Sequence, residues 1–424
     1  AVFPRNDRIW PRTAAVVAAM ALMVALVPEP ANASEASDPA PPAASIGMGA
    51  LVDGNGVIFP IVEELPGGHI VTTPCAVEIV YEEGRYLDRV DVVLDAGHGG
   101  PETGSVGANG LVERDLNLAV ALLAEKELEA LGHSVELTRR SDLHMPIRQR
   151  AAIANALSPR AFVSIHHNGG ALRRSNDPGT ETFHQVDSTE SRRLAGLLFE
   201  EISAAFEDYW VPWVATVHRG ASTRLKEPGL DAYGILRYTP SVPAAISEAG
   251  YLSNPAEAQL LALPEVQENE AEALARAIDR FLTTDSPGSG FRPAFVDGAM
   301  TGTGTGKGCL DPDHGSPDEV VVAYTTGEYG ALADAAARQG TTVRDLQVFG
   351  VHTLDFLRRI NGGNVTPLSE ESVPDVRGAI VEVTEWTPTE RVALARVADA
   401  YGLSPAQAQK LGAVLIVFLT SLES

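Results

Sequence analysis

The stretch "DVVLDAGHGG", residues 91–100, joins an apolar run to a glycine-rich turn that carries a histidine. The apolar run is typical of a buried strand, and the glycines let the backbone turn sharply where the strand ends. A histidine in a packed core would not need three glycines around it. The stretch therefore predicts that His98 is presented on a loop at a strand end, as a metal ligand or as part of a phosphate-binding loop.

Outward from this stretch, short apolar runs alternate with amphipathic helical patterns up to about residue 282. "HSVELTR" has the pattern of a strand, and "SRRLAGLLFEEISAAF" has apolar residues at helical spacing. This order predicts an α/β fold with a mainly parallel central sheet flanked by helices. In such sheets, ligands bind beyond the carboxyl ends of the strands.

The N-terminus has the three parts of a secretory signal peptide. Arginines precede a 15-residue apolar stretch, and the small residues Ala31 and Ala33 follow it. We therefore expect cleavage near Ala33 and a mature protein that is secreted to the cell wall or periplasm. An uncleaved anchor is the alternative, but the apolar stretch is short for a membrane span.

Composition changes divide the chain further, with a β-rich lead-in before the alternating region and a separate, mostly helical unit after it. Two stretches of that last unit share a helix–glycine–helix pattern, but their similarity is too weak to define a repeat. The predicted boundaries are the signal peptide at 1–33, a linker at 34–45, the lead-in at 46–89, the α/β domain at 90–283, a linker at 284–317 and the helical C-terminal domain at 318–424.

Charge and cysteine content narrow the class of protein. The 424-residue chain carries a formal net charge of −24, which argues against a nucleic-acid partner. Its two cysteines, Cys75 and Cys309, allow one disulfide outside the cytoplasm. Their spacing alone leaves two buried free thiols as an alternative.

Four polar residues follow or flank predicted strands in a way that brings them to one sheet edge. They are His98, Glu113 at the first helix start, His166 or His167, and Glu248. Two histidines and one carboxylate form a familiar catalytic zinc set that leaves a position open. Zinc polarises a carbonyl and lowers the pKa of water, and Glu248 would then serve as general base. This division of roles fits an amide hydrolase.

Four segments in this order resemble the signature of the zinc-dependent N-acetylmuramoyl-L-alanine amidases of the amidase-3 family. They are "DAGHGG", "GLVERDLNL", "FVSIHHN" and "AAISEAGYLSN". The resemblance covers about residues 90–282. It implies a mixed α/β fold, one Zn²⁺ ion, and cleavage of the amide between N-acetylmuramic acid and L-alanine in peptidoglycan. By motif match, His98, Glu113 and His166 would bind zinc, and Glu248 would be the catalytic glutamate.

The resemblance also bears on the neighbouring residues. It makes His166 the ligand and His167 the variable position, and strand alternation places the two on opposite faces. His167 as the ligand is the alternative if the register slips. Candidate substrate contacts are Asn168, Arg219, Arg224 and Leu236.

The leading hypothesis is therefore a secreted zinc amidase acting on peptidoglycan. The alternatives are a catalytically silent or autoinhibited wall-binding protein on an amidase scaffold, and a zinc peptidase that cuts within the stem peptide. The C-terminal unit is expected to bind wall polymer or a protein regulator, or to block the site itself.

Overall fold

The computed structural model describes residues 46–169, 179–209, 220–297, 309–311, 318–363, 365–369 and 372–422. The predicted signal peptide and the first linker lie outside these residues. Within them the chain forms a lead-in sheet, a central α/β unit and a C-terminal unit.

The lead-in is a five-stranded antiparallel sheet in the order β4-β3-β2-β1-β5. Its strands are β1 (Ala50–Val52), β2 (Ile58–Leu65), β3 (Gly68–Thr72), β4 (Glu78–Tyr81) and β5 (Arg85–Leu87).

The central sheet has six strands in the order β10-β9-β13-β8-β6-β7. These strands are β6 (Val92–Ala96), β7 (Val135–Leu137), β8 (Ala161–Asn168), β9 (Glu181–His184), β10 (Gly220–Ser222) and β13 (Ala244–Tyr251). Strands β7, β6, β8 and β13 are parallel, whereas β9 and β10 run the opposite way. The predicted α/β fold is confirmed, and the sheet is mixed because one edge pair is reversed.

Helices cover both faces of this sheet because the strands are apolar on both faces. The helices of the central unit are α1 (Glu113–Ala130), α2 (Ile147–Leu157), α3 (Thr189–Phe206), α4 (Gly234–Arg237), α5 (Pro255–Leu261) and α6 (Pro264–Thr283). Helices α1, α3 and α6 pack against Val92, Leu94 and Ile165 on one face. Helices α2 and α4 and the lead-in pack against Val93, Phe162 and Ile246 on the other.

Part of the predicted second linker pairs with the central unit. A small sheet has the order β12-β11-β14, with β11 at Arg224–Glu227, β12 at Leu230–Asp231 and β14 at Phe295–Val296. Cys309, further along the same segment, is joined to Cys75 by a disulfide. This disulfide links the predicted second linker to the lead-in.

The C-terminal unit consists of one β-α-α motif that occurs twice. The first copy is β15 (Asp318–Tyr324), α7 (Thr326–Gln339) and α8 (Val343–Ile360), and the second is β16 (Ile380–Trp386), α9 (Pro388–Tyr401) and α10 (Pro405–Leu422). Every element of the second copy begins 62 residues after its counterpart, as Asp318 and Ile380 show. The repeat that the sequence left undefined is therefore present in the structure.

An approximate two-fold relation joins the two copies. Strands β15 and β16 pair antiparallel with Val321 opposite Val383, which are equivalent positions. Helices α8 and α10 meet at the equivalent Gly350 and Gly412, where a Cβ on Gly350 would lie 2.3 Å from the Gly412 carbonyl oxygen. The C-terminal unit is thus a strand ribbon covered by four helices.

Among the described helices, α10 has the length and composition of a membrane span, with a mean hydropathy of 1.2 over 18 residues. Half of this stretch is buried inside the unit. It packs against α8, which is what a core helix does.

Candidate active site

The central sheet places His166 and Glu248 side by side. They are register partners on the neighbouring parallel strands β8 and β13, so both side chains point to the same face. His98 follows β6 on the adjacent loop, and Glu113 is the first residue of α1. The predicted meeting of these four residues at one sheet edge is what the topology produces.

His98, Glu113 and His166 form a group of three potential metal ligands. Their donor atoms all lie within 4.8 Å of one another. Glu113 Oε1 lies 3.0 Å from His98 Nε2 and 3.0 Å from His166 Nδ1. The backbone N–H of Ser105 donates to Glu113 Oε2 at 2.7 Å, which fixes the carboxylate. These residues could therefore hold a metal ion.

The glycines around the group are required by space as well as by backbone conformation. His98 itself has a positive φ of 62°, which non-glycine residues rarely adopt. A Cβ on Gly97 would lie 2.2 Å from the His166 ring, and one on Gly104 would lie 2.5 Å from Glu113 Oε2. The glycine-rich loop thus allows the ligands to approach one another.

Two buried arginines hold this loop in place. Arg150 donates to the carbonyl oxygens of Ala96 at 2.7 Å and His98 at 2.6 Å, and Arg139 donates to Ala96 at 2.8 Å. Asp95 is the counter-ion of Arg150, at 2.8 Å. Burial would raise the pKa of Asp95, but the charge of Arg150 holds it below its usual range.

His167 points to the opposite face of β8, as strand alternation predicts. Its side chain is fully buried, and its ring nitrogens lie 2.8 Å from Asn117 Oδ1 and 3.0 Å from Glu270 Oε2. Asn117 belongs to α1 and Glu270 to α6. The structure therefore does not bring His167 to the metal-ligand group, and the alternative of His167 as the ligand is not supported.

Burial and neighbouring charges shift the pKa values of the three potential ligands. Burial would lower the pKa of His98, but the carboxylates of Glu102 and Glu113 raise it to about 9. Burial would raise the pKa of Glu113, but His166 and His98 hold it well below its usual range. Burial and the charge of His98 lower the pKa of His166. The carboxylate of Glu113 is therefore held in its ionised form, which is the form that binds a metal ion.

Glu248 sits in a different environment from Glu113. It is buried, and its Oε2 atom has no hydrogen-bond partner among the described residues. Burial, followed by the negative charges of Glu113 and Glu181, raises the pKa of Glu248 well above its usual range. An orphaned, buried carboxylate oxygen is costly for stability and is typical of functional sites.

The predicted substrate residues have different surroundings. Asn168 donates to Glu181 Oε2 at 3.0 Å, at the edge of the site. Arg224 donates to Asp297 Oδ2 at 2.8 Å and to the Tyr233 hydroxyl at 3.3 Å. Leu236 is 2% exposed and packs in the core, so its side chain is not a substrate contact. Arg219 lies outside the described residues.

Three residues near the site were not identified from the sequence. Glu102 Oε1 lies 3.8 Å from His98 Nδ1, and Glu181 is the register partner of Glu248 on β9. Tyr233 contacts Arg224 from the turn before α4. Glu181 is the first residue of β9, a position at a strand end that could have been considered from the sequence. Glu102 and Tyr233 lie on loops, whose geometry the sequence does not encode in a pattern.

Comparisons with known proteins match this central unit. Residues 92–280 match the family model Amidase_3, described as N-acetylmuramoyl-L-alanine amidase. The chain is 33% identical to the uncharacterized protein YqiI of Bacillus subtilis, over 51% of this chain and 94% of that protein. It is 30% identical to the N-acetylmuramoyl-L-alanine amidase CwlM of Bacillus licheniformis, over 45% of this chain and 69% of that protein.

Solved structures also match. The N-acetylmuramoyl-L-alanine amidase AmiC2 of Nostoc punctiforme is 31% identical, with a TM-score of 0.38, over 45% of this chain and 96% of that one. The family match ends at residue 280, so the C-terminal unit lies outside it.

Proposed function

Since the chain belongs to the N-acetylmuramoyl-L-alanine amidase family and hydrolyses peptidoglycan, we propose that His98, Glu113 and His166 hold a zinc ion and that Glu248 is the general base. The observation that carries this assignment is the register of β8 and β13, which sets a buried, unpartnered carboxylate beside the three potential ligands.

The side chains of His98, Glu113 and His166 are of the types that bind zinc in proteins. Two imidazoles and one carboxylate are the donors that catalytic zinc sites use, and three protein ligands leave one position open. Calcium and magnesium prefer oxygen ligands, so a group with two imidazoles disfavours both. A bound zinc ion supplies a Lewis acid that polarises the amide carbonyl and acidifies water.

Glu248 provides the proton transfers of the reaction. Its raised pKa makes it a stronger base than an ordinary glutamate, so it can take a proton from the attacking water. A C–O bond to the lactyl carbonyl carbon then forms. Glu248 returns the proton to the amide nitrogen as the C–N bond breaks, which releases the amine of L-alanine and the lactyl carboxylic acid.

All four proposed active-site residues are present, which disfavours a catalytically silent scaffold. A peptidase that cuts within the stem peptide is disfavoured by the family match. Autoinhibition by the C-terminal unit is a further alternative. It is tested by measuring the release of stem peptide from peptidoglycan by the whole chain.

Zinc content and its dependence on the ligands test the site. We expect about one zinc per chain by native mass spectrometry of the purified protein, and loss of zinc in His98→Ala and His166→Ala. His352→Ala is the matched control, because His352 is exposed on α8. Equal zinc content in all four proteins would contradict the ligand assignment.

We further propose that the protein acts outside the cytoplasm. The Cys75–Cys309 disulfide and the predicted signal peptide support this location. Alkylation of free thiols in protein taken from intact cells checks it, since a disulfide formed in place leaves neither cysteine reactive.

We propose that the C-terminal unit is a binding unit held at a fixed position. Arg396 of α9 contacts Glu63 and Glu78 of the lead-in at 2.8 Å each. Val392 packs against Ile70 and Val80 at the same interface. Wall polymer and a protein regulator are its two candidate ligands, and co-sedimentation with purified peptidoglycan distinguishes them.

A further inference from the structure

Tyr233, Arg224 and Asp297 form a chain of polar contacts near the sheet face that presents Glu248. Arg224 begins β11 and Asp297 follows β14, and the parallel pairing of these strands sets the two residues together. Arg224 Nη2 donates to Asp297 Oδ2 at 2.8 Å, and its Nη1 donates to the Tyr233 hydroxyl at 3.3 Å. Both Nη atoms of Arg224 are therefore engaged in this chain of contacts, whereas its buried Nε has no partner among the described residues.

The Tyr233 ring is fixed against the strand that carries Glu181. Its centroid lies 5.0 Å from that of Phe183 on β9. Phe183 is the register partner of Ile246, two residues before Glu248 on β13. The phenol therefore lies on the sheet face that also presents Glu248.

The charge environment keeps the phenol protonated. Burial and then the negative charge of Glu248 raise the pKa of Tyr233 above its usual value. A raised phenol pKa means that the neutral form persists at neutral and mildly alkaline pH. A neutral tyrosine is a hydrogen-bond donor.

The hydrogen bond from Arg224 also determines what the Tyr233 hydroxyl can do. The oxygen accepts from a cationic donor, which polarises the O–H bond and strengthens it as a donor. The hydroxyl proton itself has no acceptor among the described residues. A donor in this state, on the sheet face that presents Glu248, matches what a developing oxyanion requires.

We propose that Tyr233 is a further catalytic residue, which donates a hydrogen bond to the substrate carbonyl oxygen as negative charge develops there. The inference rests on the proposed amidase function and adds a residue to that same site. Tyr233 keeps its proton throughout, and the proton transfers remain with Glu248. Arg224 and Asp297 are positioning residues that act through Tyr233.

The Tyr233→Phe variant tests the proposal, because it removes one oxygen and keeps the ring. We expect kcat for release of stem peptide from peptidoglycan to fall about 100-fold, which is typical for loss of one oxyanion donor. KM and zinc content should stay within about two-fold of the wild type, because the hydrogen bond forms only in the transition state.

A second readout does not depend on turnover. A phosphinate analogue of the lactyl–alanine amide carries a tetrahedral, anionic centre, so its affinity should fall by about the same factor in Tyr233→Phe. Affinity for the intact muramoyl peptide should not change. Loss of packing alone would weaken both ligands equally or neither.

Tyr238→Phe is the matched control, since Tyr238 follows α4 and its ring contacts Arg148 and Arg237, whereas the Tyr233 ring contacts Arg224. It should keep wild-type kcat. Arg224→Gln should lower kcat less than Tyr233→Phe, and adding it to Tyr233→Phe should cause no further loss.

The outcomes separate this inference from the proposed function. Suppose that the wild type releases stem peptide and that Tyr233→Phe equals it in kcat and in affinity for the phosphinate. That result would overturn the role of Tyr233 and leave the amidase assignment intact. Wild-type protein that releases no stem peptide would contradict the proposed function, and this inference with it.

Discussion

At the scale of single residues, the candidate site depends on glycines that a larger residue could not replace without a clash. His98 is presented by a loop whose glycines lie against the other ligands, and a side chain at Gly97 or Gly104 would occupy the ligands' space. The motif in the sequence predicted the three potential metal ligands, which the structure brings together. It could not identify Tyr233 or Glu102, because their positions depend on where two loops lie after folding.

Gly104→Ala tests this close approach. Gly104 has φ 65°, and the new Cβ would lie 2.6 Å from His98 Cδ2, so we expect zinc affinity to fall about 10- to 100-fold. Gly110→Ala is the matched control, since its φ is 83° but nothing lies within 4 Å. Both variants should lose about 1–2 kcal/mol of stability from backbone strain. Isothermal titration with zinc measures both affinities. Equal zinc affinity in the two variants would show that the close approach at Gly104 does not matter for metal binding.

At the scale of elements, alternation along the strands explains most of the arrangement. His166 and His167 are consecutive residues of β8. His166 faces the site, whereas His167 faces the other side of the sheet and contacts α1 and α6. The sequence predicted this separation because the side-chain period of a strand is two. It did not predict the reversed edge pair β9 and β10, since strand direction depends on the connections rather than on the strand residues.

The helix crossing in the C-terminal unit gives a prediction at this scale. Gly350→Ala would place a Cβ 2.3 Å from the Gly412 carbonyl oxygen, so α8 and α10 must separate. We expect a loss of about 1–3 kcal/mol, which overpacking typically costs. Gly330→Ala, in α7 with open space around it, should instead be neutral or stabilise by up to about 1 kcal/mol. Urea unfolding of both variants measures the difference, and a stable Gly350→Ala would show that the helices do not cross here.

At the scale of the whole molecule, the lead-in sheet joins the catalytic and C-terminal units. It packs on α2 through Ala50 and Ile58, and it meets α9 through Ile70 and Val80. The sequence predicted regions of different composition, but it could not predict the contacts between them, because those contacts are long-range. The repeat was similarly hidden, because the structure conserves the size and position of its elements more than their residues.

The disulfide is the covalent part of this assembly. In the double variant Cys75→Ser with Cys309→Ser, we expect a loss of about 2–4 kcal/mol and a lower Tm, because the cross-link closes a long loop. Reducing agent should lower the Tm of the wild type towards that of the variant and leave the variant unchanged. A wild-type Tm that does not respond to reduction would contradict the role of the disulfide in stability.

The most direct test of the central claim is mass spectrometry of the products released from peptidoglycan by the whole chain and by Glu248→Gln. We predict that the wild type releases free stem peptides with an L-alanine amino terminus, and that Glu248→Gln retains zinc and releases none. Stem peptides from both proteins would contradict the assignment of Glu248 as general base. Peptides trimmed within the stem would contradict the amidase reaction itself.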